Sequence, residues 1–315
     1  MSGAALRLGT RRSPMAVVQS TLVGRAITAK TGREIELVGI ESAGDANREM
    51  SMTEIGGTGV FVSSLRTSLL AGEVDLAVHS LKDLPTGPAA GIALAAVPGR
   101  DDPRDALAGR DGAKLADLPA GARVGTGSPR RAAQLLILRP DIRAVPVRGN
   151  AGTRLAKVET GELDAVVLAH AGLARIGRLD AVSQVFDPDE MLPAAGQGAL
   201  AVECCEGRED LVALLGSIDD PLSRAATTAE RSLLAALEAG CSAPVGAYAA
   251  GTDVLRLRGV VVSADGGMAL RSSASGSLAE AEIIGRQVAA DLLGRGAAEF
   301  TAVSGGHLSS GDDDK

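Results

Sequence analysis

The sequence predicts an α/β protein built as two lobes of similar plan followed by a smaller α+β unit. Three observations lead there. RLGTRRSPMAVVQ, from Arg7, resembles RVGTGSPRRAAQL, from Arg123: each reads as a short apolar strand, a Gly-Thr break, and a Ser-Pro pair opening an amphipathic helix. AGEVDLAVHS, from Ala71, matches TGELDAVVLA, from Thr160, and the two pairs occur in the same order along the chain. After Asp219-Asp220-Pro221 the pattern changes to one helix, several strands and a final helix.

Taken in order, Ser13-Pro14 opens the first helix, because serine caps orphan N–H groups and proline suits the first helical position. The segment 41–59 (ESAGDANREMSMTEIGGTG) is polar and glycine-rich without a sustained period; a loop of that length reads as a lid over 46–59 or as disorder. A strand beginning near Val74 ends in VHSLKDLP. Ser128-Pro129 opens the matching helix of the second lobe, a strand over 142–147 runs into RGNAGTR and another helix, and a strand over 165–169 precedes Arg175. PAAGQGA, from Pro193, is a glycine-rich crossover before a strand at 200–203, consistent with a hinge returning the chain to the first lobe. Residues 223–237 form a helix stopped by Ala239-Gly240, so Cys241 lands on the following loop, which Pro244 stiffens. Strands at 245–248 and 254–263 and a helix at 278–293 complete the third unit. The expected domains are 1–98 with 197–218, 99–196 and 219–303, with 304–315 a disordered tail or remnant.

Composition excludes several functions. Phe61, Phe186, Phe300 and Tyr248 are the only aromatics, so cores must be aliphatic and base stacking has almost no material. A formal charge of −7 argues against a nucleic-acid partner. Three cysteines, two adjacent at Cys204-Cys205, give neither a disulfide framework nor zinc spacing, and His79, His170 and His307 are scattered, so no metal site is expected. The N-terminus lacks an apolar signal core and no run reaches membrane-spanning length, which predicts a cytoplasmic protein without membrane contact. Phosphate-loop and dinucleotide fingerprints are absent.

Arginines gather where the two lobes should face each other: Arg11 and Arg12, Arg130 and Arg131, Arg148, Arg154, and Arg175 follow strands or open helices. Basic residues in a first turn oppose the helix dipole, so local stability does not explain them; with helix N-termini they form a site for carboxylates or phosphates. Singly, each could equally be a surface arginine paired with an acid. Lys82-Asp83, at a strand's C-terminal end, could be a polar turn; as a lone carboxylate in a cationic cleft, Asp83 stays ionised and can stabilise a developing cation. Cys241 is either a buried filler or an attachment point.

Together LGTRRSPMA, GTGVF, VHSLKDLP, GTGSPRR, RGNAGTRL, PAAGQGA and AGCSAPVG closely resemble the porphobilinogen deaminase family, in the family's order from Arg7 to Gly246. The resemblance implies three α/β domains, the first two periplasmic-binding-protein-like lobes of mixed sheet and helices, with a smaller α+β C-terminal domain. It implies a dipyrromethane cofactor in thioether linkage to Cys241 and the condensation of four porphobilinogens into a linear tetrapyrrole, hydroxymethylbilane, with loss of ammonia. Carried over residue by residue, Asp83 is catalytic: it bonds pyrrole N–H groups and stabilises the azafulvene cation. Ser80, Lys82, Asp83, Ser128, Arg130, Arg131 and Arg154 hold the cofactor, and Arg11, Arg148, Arg154, Arg175, Phe61 and Gln197 the substrate. A monomer is implied, with porphobilinogen as small-molecule partner. Departures from the family pattern are Pro129, Thr58 (where many relatives carry lysine) and Ala239. The competing reading is a non-catalytic two-lobed anion-binding protein, which leaves Asp83 and Cys241 unexplained; an effector domain of a transcriptional regulator would need a helix-turn-helix segment, and the N-terminus goes straight into a strand.

Overall fold

A computed structural model describes residues 4–41, 59–239 and 243–301, and the side chains of 4–41, 62–239 and 243–300. In the first lobe β1 (Leu6–Arg11) lies between β2 (Ile35–Ile40) and β3 (Leu76–Ser80), parallel to both. The sheet continues through β10 (Leu200–Cys205), antiparallel to β3, to β4 (Ile92–Ala96), giving the order β2-β1-β3-β10-β4. The second lobe repeats this plan: β6 (Arg123–Gly125) lies between β7 (Arg143–Val145) and β8 (Ala165–Ala169), parallel to both. β5 (Asp105–Gly109) then runs antiparallel to β8 and to β9 (Gln184–Val185), in the order β7-β6-β8-β5-β9. In each sheet the antiparallel strand arrives from the other lobe, so the chain crosses between lobes twice, through 97–104 and through 186–199.

The repeated Ser-Pro pairs act as expected. Ser13 Oγ accepts from the Ala16 amide at the start of α1 (Pro14–Thr31), and Gly32, at φ 69°, ends it in the left-handed region that glycine tolerates. α2 (Gly59–Leu70) precedes β3. Ser128 Oγ accepts from the Arg131 amide at the start of α3 (Pro129–Leu138), and Asn150 caps α4 (Ala151–Glu159) through the Thr153 amide. α5 (His170–Arg175) follows β8 directly, and α6 (Glu209–Leu215) follows β10.

The third unit packs α7 (Pro221–Ala236) and α8 (Ala281–Gly294) on an antiparallel sheet of β11 (Val245–Ala250), β12 (Leu255–Val262) and β13 (Ala269–Gly276), with a short α9 (Ala298–Thr301) after it. Its core is aliphatic: Leu233, Leu257, Val261, Ile284, Val288 and Leu292 are all but sealed from solvent. With so few aromatics, helices must approach closely. A Cβ on Gly285 of α8 would lie 2.5 Å from the Ala229 carbonyl oxygen of α7.

Some local expectations change. The helix placed at 223–237 begins earlier, because Asp220 caps it, and the left-handed residue beyond its end is Glu238 (φ 51°) rather than a glycine. Gly240 and Cys241 lie outside the described residues. The strand expected at 142–147 contracts to three residues. β13 is too serine-rich to have been singled out; it is recognised by its pairing with β12 along eight residues. The proposed lid, apart from Gly59 at the start of α2, also lies outside the described residues.

Candidate active site

The C-terminal ends of β3 and β8 face each other across the lobes. Between them is a cavity of about 190 Å³ lined by Ser80, Lys82, Asp83 and Arg175, with Met15 and Gln19 from α1. β3 ends at Ser80 and turns at once into a single 3-10 turn, Leu81–Asp83, which buries Leu81 and leaves Asp83 exposed. Ser80 Oγ accepts from Gln19 Nε2 at 2.9 Å, fixing the strand end against α1. A larger hollow of about 560 Å³ lies elsewhere, beside β2 and α2; it holds Arg12, paired with Glu41, and none of the Lys82–Asp83 turn.

Lys82 Nζ has a distant acceptor, Gln197 Oε1 at 3.4 Å. Burial pulls its ammonium down to about 8; Asp83 and Asp105 oppose the shift, while the charges of Arg131 and Arg130 add to it. Gln197 is itself buried. Its amide nitrogen donates to the Pro103 carbonyl (2.7 Å) and to Asp105 Oδ1 (2.8 Å), and its oxygen accepts from Arg131 (3.2 Å). It therefore bridges the Lys82 turn of one lobe to β5 of the other.

Arg130 and Arg131 are buried, at 3% and 6% exposure, against a fully buried Asp105. Arg130 donates to Asp105 Oδ2 (2.7 Å) and the Leu192 carbonyl (2.6 Å); Arg131 donates to Asp105 Oδ1 (2.9 Å). Burial alone would raise the Asp105 carboxyl, but the two guanidiniums override it and hold it well below the ordinary carboxylate range. This corrects one sequence inference. The first-turn arginines have a buried counterion in Asp105, whereas Asp83 is the carboxylate in the lining of the cavity itself. Arg130 Nε stays buried without a partner among the described residues.

Arg154 donates Nε–H to the Gly149 carbonyl at 2.9 Å; burial, with Arg131 nearby, pulls its pKa down. Arg175 spans to the crossing segments, donating to Asp101 Oδ2 (2.8 Å) and the Gly198 carbonyl (2.7 Å). Arg148 is exposed before α4, and Arg11 is partly buried at the end of β1. Ser128 is engaged as the cap of α3. Phe61 lies in the first turn of α2, with its side chain outside the described residues, as is all of Cys241. Among the described residues neither Lys82 nor Arg154 forms a salt bridge, so the cleft carries unneutralised, half-buried cations suited to a ligand bearing several carboxylates.

Sequence reasoning missed a buried group beneath this site. Glu203, on β10, accepts from Arg66 at 2.6 and 3.0 Å and lies 3.2 Å from His79 Nε2, the residue before Ser80. Burial opposes ionisation, yet His79 and Arg66 hold its carboxyl down at about 2. Both missed carboxylates were detectable: Asp105 opens the apolar run DALA and Glu203 interrupts ALAVECC, and a charge inside a buried strand requires a partner.

Two family models match the chain: "Porphobilinogen deaminase, dipyromethane cofactor binding domain" over residues 6–213, and "Porphobilinogen deaminase, C-terminal domain" over 225–294. Relatives named porphobilinogen deaminase include one from Thermobifida fusca, 59% identical over 96% of this chain and 97% of that one. Porphobilinogen deaminase 1 of Streptomyces coelicolor is 55% identical over 95% and 98%, and the Mycobacterium tuberculosis protein 50% identical over 94% and 98%. Among solved structures, the methionine-binding protein MetQ is similar at TM-score 0.43 and 11% identity, over 68% of this chain and 88% of that one, a likeness too remote to carry an argument. The matched models and the full-length relatives show that the chain belongs to the porphobilinogen deaminase family.

Proposed function

We propose that the chain is a hydroxymethylbilane synthase: it condenses four porphobilinogens onto a dipyrromethane anchored at Cys241, releasing ammonia at each addition and finally the linear tetrapyrrole. The observation that carries this reading is the turn bearing Lys82 and Asp83 at the end of β3, set opposite Arg175 across one inter-lobe cavity. The residues fit a dipyrrole bearing acetate and propionate groups, since Lys82 and Arg154 are half-buried cations without a carboxylate partner among the described residues. When bound, that group supplies the nucleophilic α-carbon to which each substrate unit is joined.

The chain's own residues then divide the task. Lys82, Arg154, and the buried Arg130–Arg131 pair behind them supply positive charge for the cofactor's carboxylates, with Ser80 and Ser128 at the two matching strand and helix ends. Arg175, which lines the cavity, takes substrate carboxylates together with Arg11 and Arg148. Gln197 acts from beneath, holding Lys82 and Arg131 in register across the lobes. The Asp83 carboxylate accepts pyrrole N–H hydrogen bonds and offsets the positive charge that develops as the substrate's amine departs. The three-part division at 98/99, 196/197 and 218/219 separates the lobes from the cysteine-bearing unit. The protein acts as a cytoplasmic monomer; among the described residues no helix is long and apolar enough to cross a membrane.

The experiment is the mass of the denatured full-length protein. A thioether survives denaturation, so the chain should carry one dipyrrole's excess mass, mapped to the peptide containing Cys241, and Cys241→Ser should lose both the excess and porphobilinogen consumption. A wild-type mass equal to the sequence alone would overturn the reading.

A further inference from the structure

Arg231 has no part in the reading above. It lies within α7 of the third unit, yet its guanidinium reaches into the first lobe. One terminal nitrogen donates to the carbonyls of Leu84 (2.9 Å) and Leu81 (3.3 Å), the other to that of Pro85 (2.6 Å). Those three carbonyls close the turn that carries Lys82 and Asp83. Arg231 forms no salt bridge among the described residues, and burial pulls its pKa down, with Glu203 opposing. A half-buried cation is costly unless its N–H groups are satisfied, and here the satisfaction comes from one turn of another domain.

The opposite side of the turn is braced by the crossover. The Leu81 amide donates to the Ala199 carbonyl at 3.0 Å. A Cβ on Gly196 would meet Leu81 Cγ at 3.2 Å and the Lys82 amide nitrogen at 3.3 Å, so the crossover backbone passes directly against the turn. The main chain of the turn is thus clamped between the inter-lobe crossover and Arg231, leaving the Asp83 side chain exposed.

We propose that Arg231 is a positioning residue: it fixes the turn of residues 81–85, and with it the Asp83 carboxylate, to α7, the helix after which the chain continues to Cys241. The inference rests on the deaminase reading and deepens it, because it names what holds in place the carboxylate that serves the reacting end of the growing chain. A turn free to shift by an ångström would keep its charges but lose the alignment that speeds the reaction.

The test uses the full-length, cofactor-loaded protein with Arg231→Leu, Arg231→Gln and Arg231→Lys. Amide exchange without substrate should quicken roughly tenfold or more across residues 81–86 in the leucine variant, while β12 and α8 exchange as in the parent. The kcat should fall roughly 10- to 100-fold with KM for porphobilinogen nearly unchanged, and lysine should recover part of the loss. Parent-like exchange at 81–86, or a raised KM with unchanged kcat, overturns the proposal. If the leucine variant does not fold, the glutamine variant decides by the same two measurements. Failure of the unmutated protein to consume porphobilinogen would instead sink the deaminase reading, and the exchange result would still report on the clamp.

Discussion

Asp83 stands exposed at the cavity beside a lysine whose charge burial disfavours, and the two make separate predictions. Asp83→Asn keeps the shape and removes the charge, so kcat should drop roughly a hundredfold or more while the folded signal and attached mass persist. Turnover within a few-fold of the parent would give Asp83 a structural role. The folded pKa of Lys82, about 8, lies below the ordinary 10.5, so the charged lysine costs stability below pH 8, and the cost fades as pH rises toward 10.5. A bound carboxylate favours the ammonium and raises that pKa, so binding must take up a proton in the same window. Calorimetry of a pyrrole dicarboxylate in buffers of different ionisation heat should show uptake growing above about pH 8 and vanishing in Lys82→Met. Equal uptake in the variant would assign the proton elsewhere.

The paired elements were legible because they obey local rules. Ser13-Pro14 and Ser128-Pro129 cap their helices, and strand, turn and helix recur in both lobes, so the two sheets share one strand order. The Lys82–Asp83 turn was legible as chemistry because a strand's C-terminal end in such a sheet opens on the cleft. What local pattern cannot give is the partner of a charge, which depends on residues far away in sequence. Arg130 and Arg131 were found as cations, but their neutralisation by Asp105 requires β5 to lie beside β8. The same limit hid Glu203, whose partner Arg66 is 137 positions away. Its carboxyl sits at about 2 against an ordinary 4.5, so its stabilisation is complete above pH 4.5 and is lost as pH falls toward 2. Acid unfolding followed by circular dichroism should show a shallower loss over that window in Glu203→Gln than in the parent. An identical acid limb would mean the carboxylate is not linked to folding. Helix contact in the third unit gives a simpler test. Gly285→Ala drives a methyl to 2.6 Å from Ser232 Cβ and 2.5 Å from a backbone oxygen, which should destabilise by about 1–3 kcal/mol in urea titration despite alanine's better helix propensity. A stabilised variant would show that α7 and α8 can part freely.

Three units must keep a common frame while a bound chain lengthens, and one carboxylate ties them. Glu230, on α7, is fully buried, and each of its oxygens accepts twice. Oε1 takes Arg100 (2.7 Å) and the Ala249 amide of β11 (2.8 Å); Oε2 takes Arg100 (2.9 Å) and the Gly196 amide (2.7 Å). Arg100 belongs to the first crossing between lobes and Gly196 to the second, so both hinges and the third unit meet on a single side chain. Arg100 also donates to the Gln197 carbonyl at 2.8 Å and lies 5.9 Å from the Tyr248 ring centre, which Arg258 also approaches at 5.4 Å. Removing only the guanidinium, as in Arg100→Leu, leaves the fully buried Glu230 charge without its counterion, a loss of about 3–5 kcal/mol. Arg100→Leu with Glu230→Leu removes the stranded charge and leaves two amides without their acceptor, about 1–3 kcal/mol each, so the double variant should lose less than the sum of the two singles. Urea titration of the two singles and the double measures that coupling directly. Additive losses would show that the hinges and the third unit are held independently; a double variant that regains stability but turns over slowly would show that the joint sets the geometry of the cleft.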